Sequence, residues 1–184
     1  MNPQYYPIEE NALYAGEYPG AQEPEVARDR LRLLAALGIR TFVDLTTPLD
    51  GLEAYADLLA EVAVETGRPL RRIAMPVADM GVPDSKATTL AILAAIRDSI
   101  REVPAVYIHC WGGIGRTGTL VGCWFRECGL GPEAALRRVQ HLYASHMPKV
   151  CFHPESPQTP AQKRYVRAWQ PGSLDSRSHE SQKG

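Results

Sequence analysis

The chain of 184 residues has no apolar run approaching the roughly 18 residues needed to span a bilayer. Its opening, MNPQYYPIEE, has neither a basic region nor an apolar signal core. The expectation is a cytoplasmic protein with no membrane contact. Charge of one sign is missing as well: 20 Lys and Arg stand against 21 Asp and Glu, a formal net charge of -1. That balance gives no electrostatic footprint for nucleic acid or an anionic surface. The four cysteines, Cys110, Cys123, Cys128 and Cys151, lack C-x-x-C spacing, so a disulfide-stapled scaffold is not indicated and reduced thiols are expected. A Walker-type loop, G-x-x-x-x-G-K-[ST], is absent too, which argues against that kind of nucleotide site.

What is present is enough apolar content, 45%, to bury the core of one domain. That domain is expected over residues 1–170, with 171–184 a disordered tail because SLDSRSHESQKG is too polar to pack. ALYAGEYPG, IRTFVDLT, LRRIAMPV and AVYIHC read as strands from their β-branched and aromatic residues. Between and after them lie helical patterns over 24–37, EAYADLLAEVAVETG, SKATTLAILAAIRDSIRE, a segment from Pro132 to about His146, and TPAQKRYVRAW. Strands alternating with helices predict an α/β three-layer sandwich around a central, mostly parallel sheet. Ligand sites of such sheets lie beyond the carboxyl ends of the strands. Cys110 falls at such an end.

AVYIHC runs directly into HCWGGIGRTG. Between Cys110 and Arg116 lie Trp111, Gly112, Gly113, Ile114 and Gly115, and the glycines allow successive backbone N–H groups to turn inward around one oxyanion. A helix starting near Arg116 adds positive potential there, and the guanidinium offers a bidentate fork to phosphate oxygens. Cysteines at helix N-termini or beside cations fall from about 8.5 to roughly 3.5–7.5, so the same field favours Cys110 as a nucleophile. His109 is placed to orient or polarise it, and the Thr117 hydroxyl to donate to the sulfur when it leaves. Neither role calls for a metal or another cofactor. The alternative is a loop whose glycines merely reverse the chain, but a lone glycine cluster would not also put Cys and Arg at its two ends.

H-C-x-x-G-x-x-R-T resembles the signature of the protein tyrosine phosphatase superfamily, and the short chain looks like its dual-specificity branch. HCWGGIGRTG together with PVADMGVPD is most similar to the cyclin-dependent-kinase-associated phosphatases. The resemblance implies the cysteine-phosphatase fold, a cysteinyl-phosphate intermediate and phosphorylated protein or peptide as substrate, with a monomeric enzyme expected. It also implies that Asp79, in VADMGVPD, matches the general acid on the family's mobile loop. Asp84 competes for that role but precedes Ser85 and a helical run, where an aspartate caps. QTPAQ is similar to the family's Q-T-x-x-Q element, which makes Gln158 a candidate for positioning the hydrolytic water. Thr159, Pro160 and Gln162 also form a capping box, so Gln162 reads as a cap before it reads as chemistry.

The remaining candidates read as structural. His141 and His146 are five apart and lie on different faces of a helix, which with His153 makes no metal site. Cys123 and Cys128 read as small apolar packing groups, with a lesser role open to one of them in resolving an oxidised Cys110. WGGIG has no charge inside the loop, which favours phosphotyrosine and phosphoserine or phosphothreonine over phosphoinositides or RNA 5′-phosphates. Those alternatives stay open because Arg71, Arg72, Lys86, Arg137 and Arg138 could line an entrance. So does a non-catalytic module that binds phosphoproteins.

Overall fold

The computed structural model describes residues 4–172. Five strands, β1 (Tyr5–Glu9), β2 (Leu13–Gly16), β3 (Ile39–Asp44), β4 (Arg71–Ala74) and β5 (Ala105–His109), form one sheet in the order β1-β2-β5-β3-β4. β1 is antiparallel to β2, and the other three pairings are parallel. Among the described residues there are six α-helices: α1 (Pro24–Ala36), α2 (Ala56–Thr66), α3 (Lys86–Glu102), α4 (Gly115–Glu127), α5 (Pro132–His146) and α6 (Pro160–Ala168). The mostly parallel three-layer sandwich is therefore as the alternation predicts.

Strand alternation divides the core in two. Val106 and Ile108 of β5 join Ile92 and Ile96 of α3, Leu120 of α4 and Val139 of α5 on one face. Ala105 and Tyr107 join Leu31 and Leu34 of α1 and Leu59 and Val62 of α2 on the other. α4 is buried almost throughout because it runs under the centre of the sheet with α5 and α6 packed against it. Among the described residues no helix is long and apolar enough to cross a membrane.

One difference from the sequence reading concerns the N-terminal end of the fold. β1 is absent from it because Pro7 breaks the strand pattern. An edge strand tolerates proline, and the pairing of β1 shifts register between Pro7 and Glu9. The tail expected over 171–184 lies, from residue 173 onward, outside the described residues.

The register fixes the site. Gly16, His109 and Asp44 are paired neighbours at the carboxyl ends of β2, β5 and β3. The next residue of β5's chain is Cys110.

Candidate active site

The loop from Cys110 to Arg116 is held from outside as well as by its own glycines. Tyr18 N–H donates to the Trp111 carbonyl at 2.9 Å, and Ser156 Oγ donates to the Ile114 carbonyl at 2.8 Å. Gly113 has φ 73, and a Cβ there would stand 2.4 Å from the Gly16 carbonyl carbon. Only glycine permits both the left-handed backbone and that approach. Gly113 thus braces the loop on β2, whereas Gly112, Ile114 and Gly115 line a cavity of about 40 Å³ with Cys110, Arg116, Asp79, Gln158 and Gln162. α4 begins at Gly115, so its N-terminus points at this cavity.

Arg116 is almost wholly buried. Nη1 donates to Asp50 Oδ2 at 2.7 Å and to the Val77 and Leu45 carbonyls at 3.1 and 3.4 Å. Nε and Nη2, the opposite edge of the guanidinium, are buried without a hydrogen-bond partner, and so is the Thr117 hydroxyl. Asp79 Oδ1 stands 3.0 Å from Nη2 as a charge pair outside hydrogen-bonding geometry. Burial alone would lower the Arg116 pKa, but neighbouring Cys110, Asp50 and Asp79 outweigh it and raise the group above its ordinary value. A fixed cation with two unused donors beside a thiol is a cradle for a tetrahedral oxyanion.

Asp50 is missing from the sequence reading. It sits at the third position of a one-turn 3-10 helix, Pro48–Asp50, where its carboxylate also accepts from Thr47 N–H at 3.0 Å. TTPLD reads as an ordinary capped turn, and only the fold brings it to Arg116. The reciprocal Thr47–Asp50 capping box is the signal that could have marked it as an ordered carboxylate.

His109 lies under the loop rather than against the sulfur. Its Nδ1 is 3.3 Å from the Cys110 carbonyl and its Nε2 is 2.8 Å from the Tyr55 hydroxyl. A carbonyl only accepts, so Nδ1 carries the proton and Tyr55 donates to Nε2. Tyr55 stays protonated, since burial and then Asp44 push its phenol well up. Burial also lowers His109 to about 4, against the pull of Asp44, whose Oδ1 is 3.8 Å from Nδ1. Burial pushes Asp44 up, yet His109, the Thr46 hydroxyl and amide, and Arg72 more than offset it and leave the carboxyl below its ordinary value. With His109 neutral at pH 7, the Thr46 and Arg72 bonds at 2.6 to 2.8 Å are what hold that charge.

Asp79 occupies a tight turn at the cavity rim, with its side chain 52% exposed. Asp84 is elsewhere: its Oδ1 accepts from the Thr88 hydroxyl, one residue before Ser85, which is the N-cap of α3. Asp84 supports a cap rather than being one. Gln158 is half-buried and lines the cavity. Gln162 is buried in the capping box, as its spacing predicts, and reaches the cavity too.

Above the cradle the cleft widens to about 540 Å³ between Met80, Trp111, Ile114, Lys149 and Phe152. Met80, Trp111 and Phe152 are 50%, 53% and 83% exposed, an apolar rim around a polar floor. The five basic side chains proposed for an entrance line neither cavity. Arg71 pairs with Glu102, Arg72 with Asp44, and Lys86 lies over the Trp169 ring, while Arg137 and Arg138 face outward on α5. Lys149 is the cation at the rim, and it is bound to Glu17. All four cysteines are free, with Cys123 in the core, where burial pushes its thiol up, but Cys128 exposed just past the end of α4 rather than packed. His141, His146 and His153 are exposed.

The comparisons with known proteins agree with this fold. "Putative tyrosine phosphatase 067L" of Invertebrate iridescent virus 3 is 27% identical over 175 residues, which is 91% of this chain and 65% of that protein, so the chain spans less than two thirds of its length. The fold is similar to Tk-PTP in its active form, with TM-score 0.69 at 23% identity over 95% of this chain and 98% of that one. It is also similar to a kinase-associated phosphatase whose catalytic-site cysteine is replaced by serine, with TM-score 0.64 at 20% identity over 89% and 90% of the two chains. A family model described as "PTP-SAK: Swiss Army Knife protein, DSP-PTPase phosphatase domain" matches residues 12–183. With that match over nearly its whole length, the chain belongs to the DSP-PTPase phosphatase domain family.

Proposed function

We propose that this chain hydrolyses phosphomonoesters on proteins, phosphotyrosine first and phosphoserine or phosphothreonine with it, through a phosphocysteine on Cys110. The observation that carries the reading is the Nε and Nη2 edge of buried Arg116, which has no hydrogen-bond partner, beside Cys110 and the N-terminus of α4. The name of the viral relative and the apolar rim of Met80, Trp111 and Phe152 support an aromatic ester.

The phosphate enters with two oxygens on the Nε and Nη2 edge of Arg116 and another facing the loop amides. Cys110 Sγ attacks phosphorus in line, an S–P bond forms, and the bond from phosphorus to the ester oxygen breaks. Asp79 gives that oxygen its proton, so a neutral phenol or alcohol departs. Water, held by Gln158, then gives its proton to Asp79 and attacks the phosphocysteine. The S–P bond breaks, Thr117 donates to the departing sulfur, and inorganic phosphate leaves. Asp50 keeps Arg116 fixed through both steps, and no metal takes part in either. Protein-bound phosphate and a monomer acting in the cytoplasm complete the reading.

The test is turnover of para-nitrophenyl phosphate in EDTA. Wild type should be active and inhibited by vanadate, Cys110→Ser inactive, and Asp79→Asn slowed by about 10² to 10⁴ while still binding vanadate. Activity in Cys110→Ser equal to wild type, or an inactive wild type that still binds phosphopeptide, would defeat the proposal.

A further inference from the structure

Gln162 makes more bonds than a helix cap needs. Its Oε1 accepts from the Gln158 and Thr159 amides at 3.1 and 3.0 Å, which completes the capping box of α6. Its Nε2 points the other way and donates to the Gly81 carbonyl at 2.9 Å. Gly81 closes the turn that carries Asp79: its N–H donates to the Ala78 carbonyl at 3.0 Å, and Met80 between them holds φ 57. A non-glycine residue in that left-handed region persists when its surroundings enforce it.

The other end of the same loop is anchored independently. Val77 N–H donates to the Leu45 carbonyl at 3.0 Å, and the Val77 carbonyl accepts from Arg116. The acid turn is thus pinned at Val77 by the catalytic arginine and at Gly81 by Gln162, with Asp79 between the pins. Gln162 is fully buried, and it lines the cavity of Cys110, Arg116 and Asp79. A buried amide bonded to two separate loops at once fixes one relative to the other.

We propose that Gln162 is a positioning residue for proton transfer: through Gly81 it holds Asp79 within reach of the leaving oxygen. This rests on the reading of Asp79 as the proton donor. Gln162→Glu separates tether from cap, because the carboxylate keeps the capping oxygen and replaces the donor toward Gly81 by an acceptor. Gln162→Asn, with the amide drawn back by one methylene, is a second variant of the same loss. Thr159→Ala removes the cap hydroxyl and leaves the tether.

The measurement is kcat/KM over aryl phosphates whose leaving phenols run from acidic to weakly acidic. A well-placed acid makes the rate nearly independent of the leaving group. A merely structural loss, or the added charge of the glutamate, lowers all members by one factor. For Gln162→Glu and Gln162→Asn we expect phenyl phosphate to lose about tenfold more than para-nitrophenyl phosphate, the size of one hydrogen bond. Asp79→Asn should be steeper still, and Thr159→Ala as flat as wild type. A steep Asp79→Asn with wild-type slopes in both Gln162 variants overturns the tether alone. A flat Asp79→Asn overturns the proton-donor reading and the tether with it.

Discussion

At the scale of single residues, His109 has both ring nitrogens engaged and no exposed surface. Its folded pKa of about 4 lies below the 6.5 of an unfolded histidine. Between those values the unfolded chain binds one proton more than the folded one, so stability is full above pH 6.5 and declines as pH falls toward 4. The loss should reach about 3 kcal/mol. Urea unfolding at pH 7 and pH 4.5 measures it, and His109→Gln should remove most of the difference. An unchanged pH slope in that variant would refute the assignment. His109, Cys110, Arg116 and Thr117 were legible in the sequence because one unbroken strand-loop-helix segment carries them. Tyr55, Asp44 and Asp50 were not, because each is an ordinary residue of a turn or strand until the fold brings it beneath the loop.

At the scale of elements, the contact of α4 with α6 connects the Cys110–Arg116 loop to the turn that carries Asp79. A Cβ on Gly122 would come within 2.7 Å of Val166 Cγ2, so the helices touch through the missing side chain. Gly122→Ala should destabilise the fold by about 1–3 kcal/mol through overpacking, despite the roughly 1 kcal/mol of helix propensity that alanine returns. Adding Val166→Ala should recover part of the loss. A Gly122→Ala midpoint in urea at or above wild type would contradict the close packing. The elements themselves were largely legible, since Pro132, Pro160 and Gly67 mark helix ends where the structure has them. β1 escaped because Pro7 obscures the strand pattern, and only its edge position makes the proline admissible.

At the scale of the molecule, the parallel strands deliver β2, β3 and β5 to one end of the sheet, and the helices of one face bring α4 and α6 to meet them. The 40 Å³ floor admits little beyond a phosphate-sized group, so the remainder of a substrate lies in the cleft rimmed by Met80, Trp111 and Phe152. No stretch of sequence carries this shape. Met80 and Phe152 come from separate loops, and their exposure is a property of the assembled surface. The proposed reaction has one covalent event at its centre, transfer of a phosphoryl group to Cys110. Rapid acid quench of wild type during turnover of an aryl phosphate, followed by peptide mass analysis, tests that event directly. The account predicts one phosphoryl group on the peptide containing Cys110, and none in Cys110→Ser. Turnover with unmodified Cys110 at every quench time, or a phosphoryl group on another side chain, would contradict it.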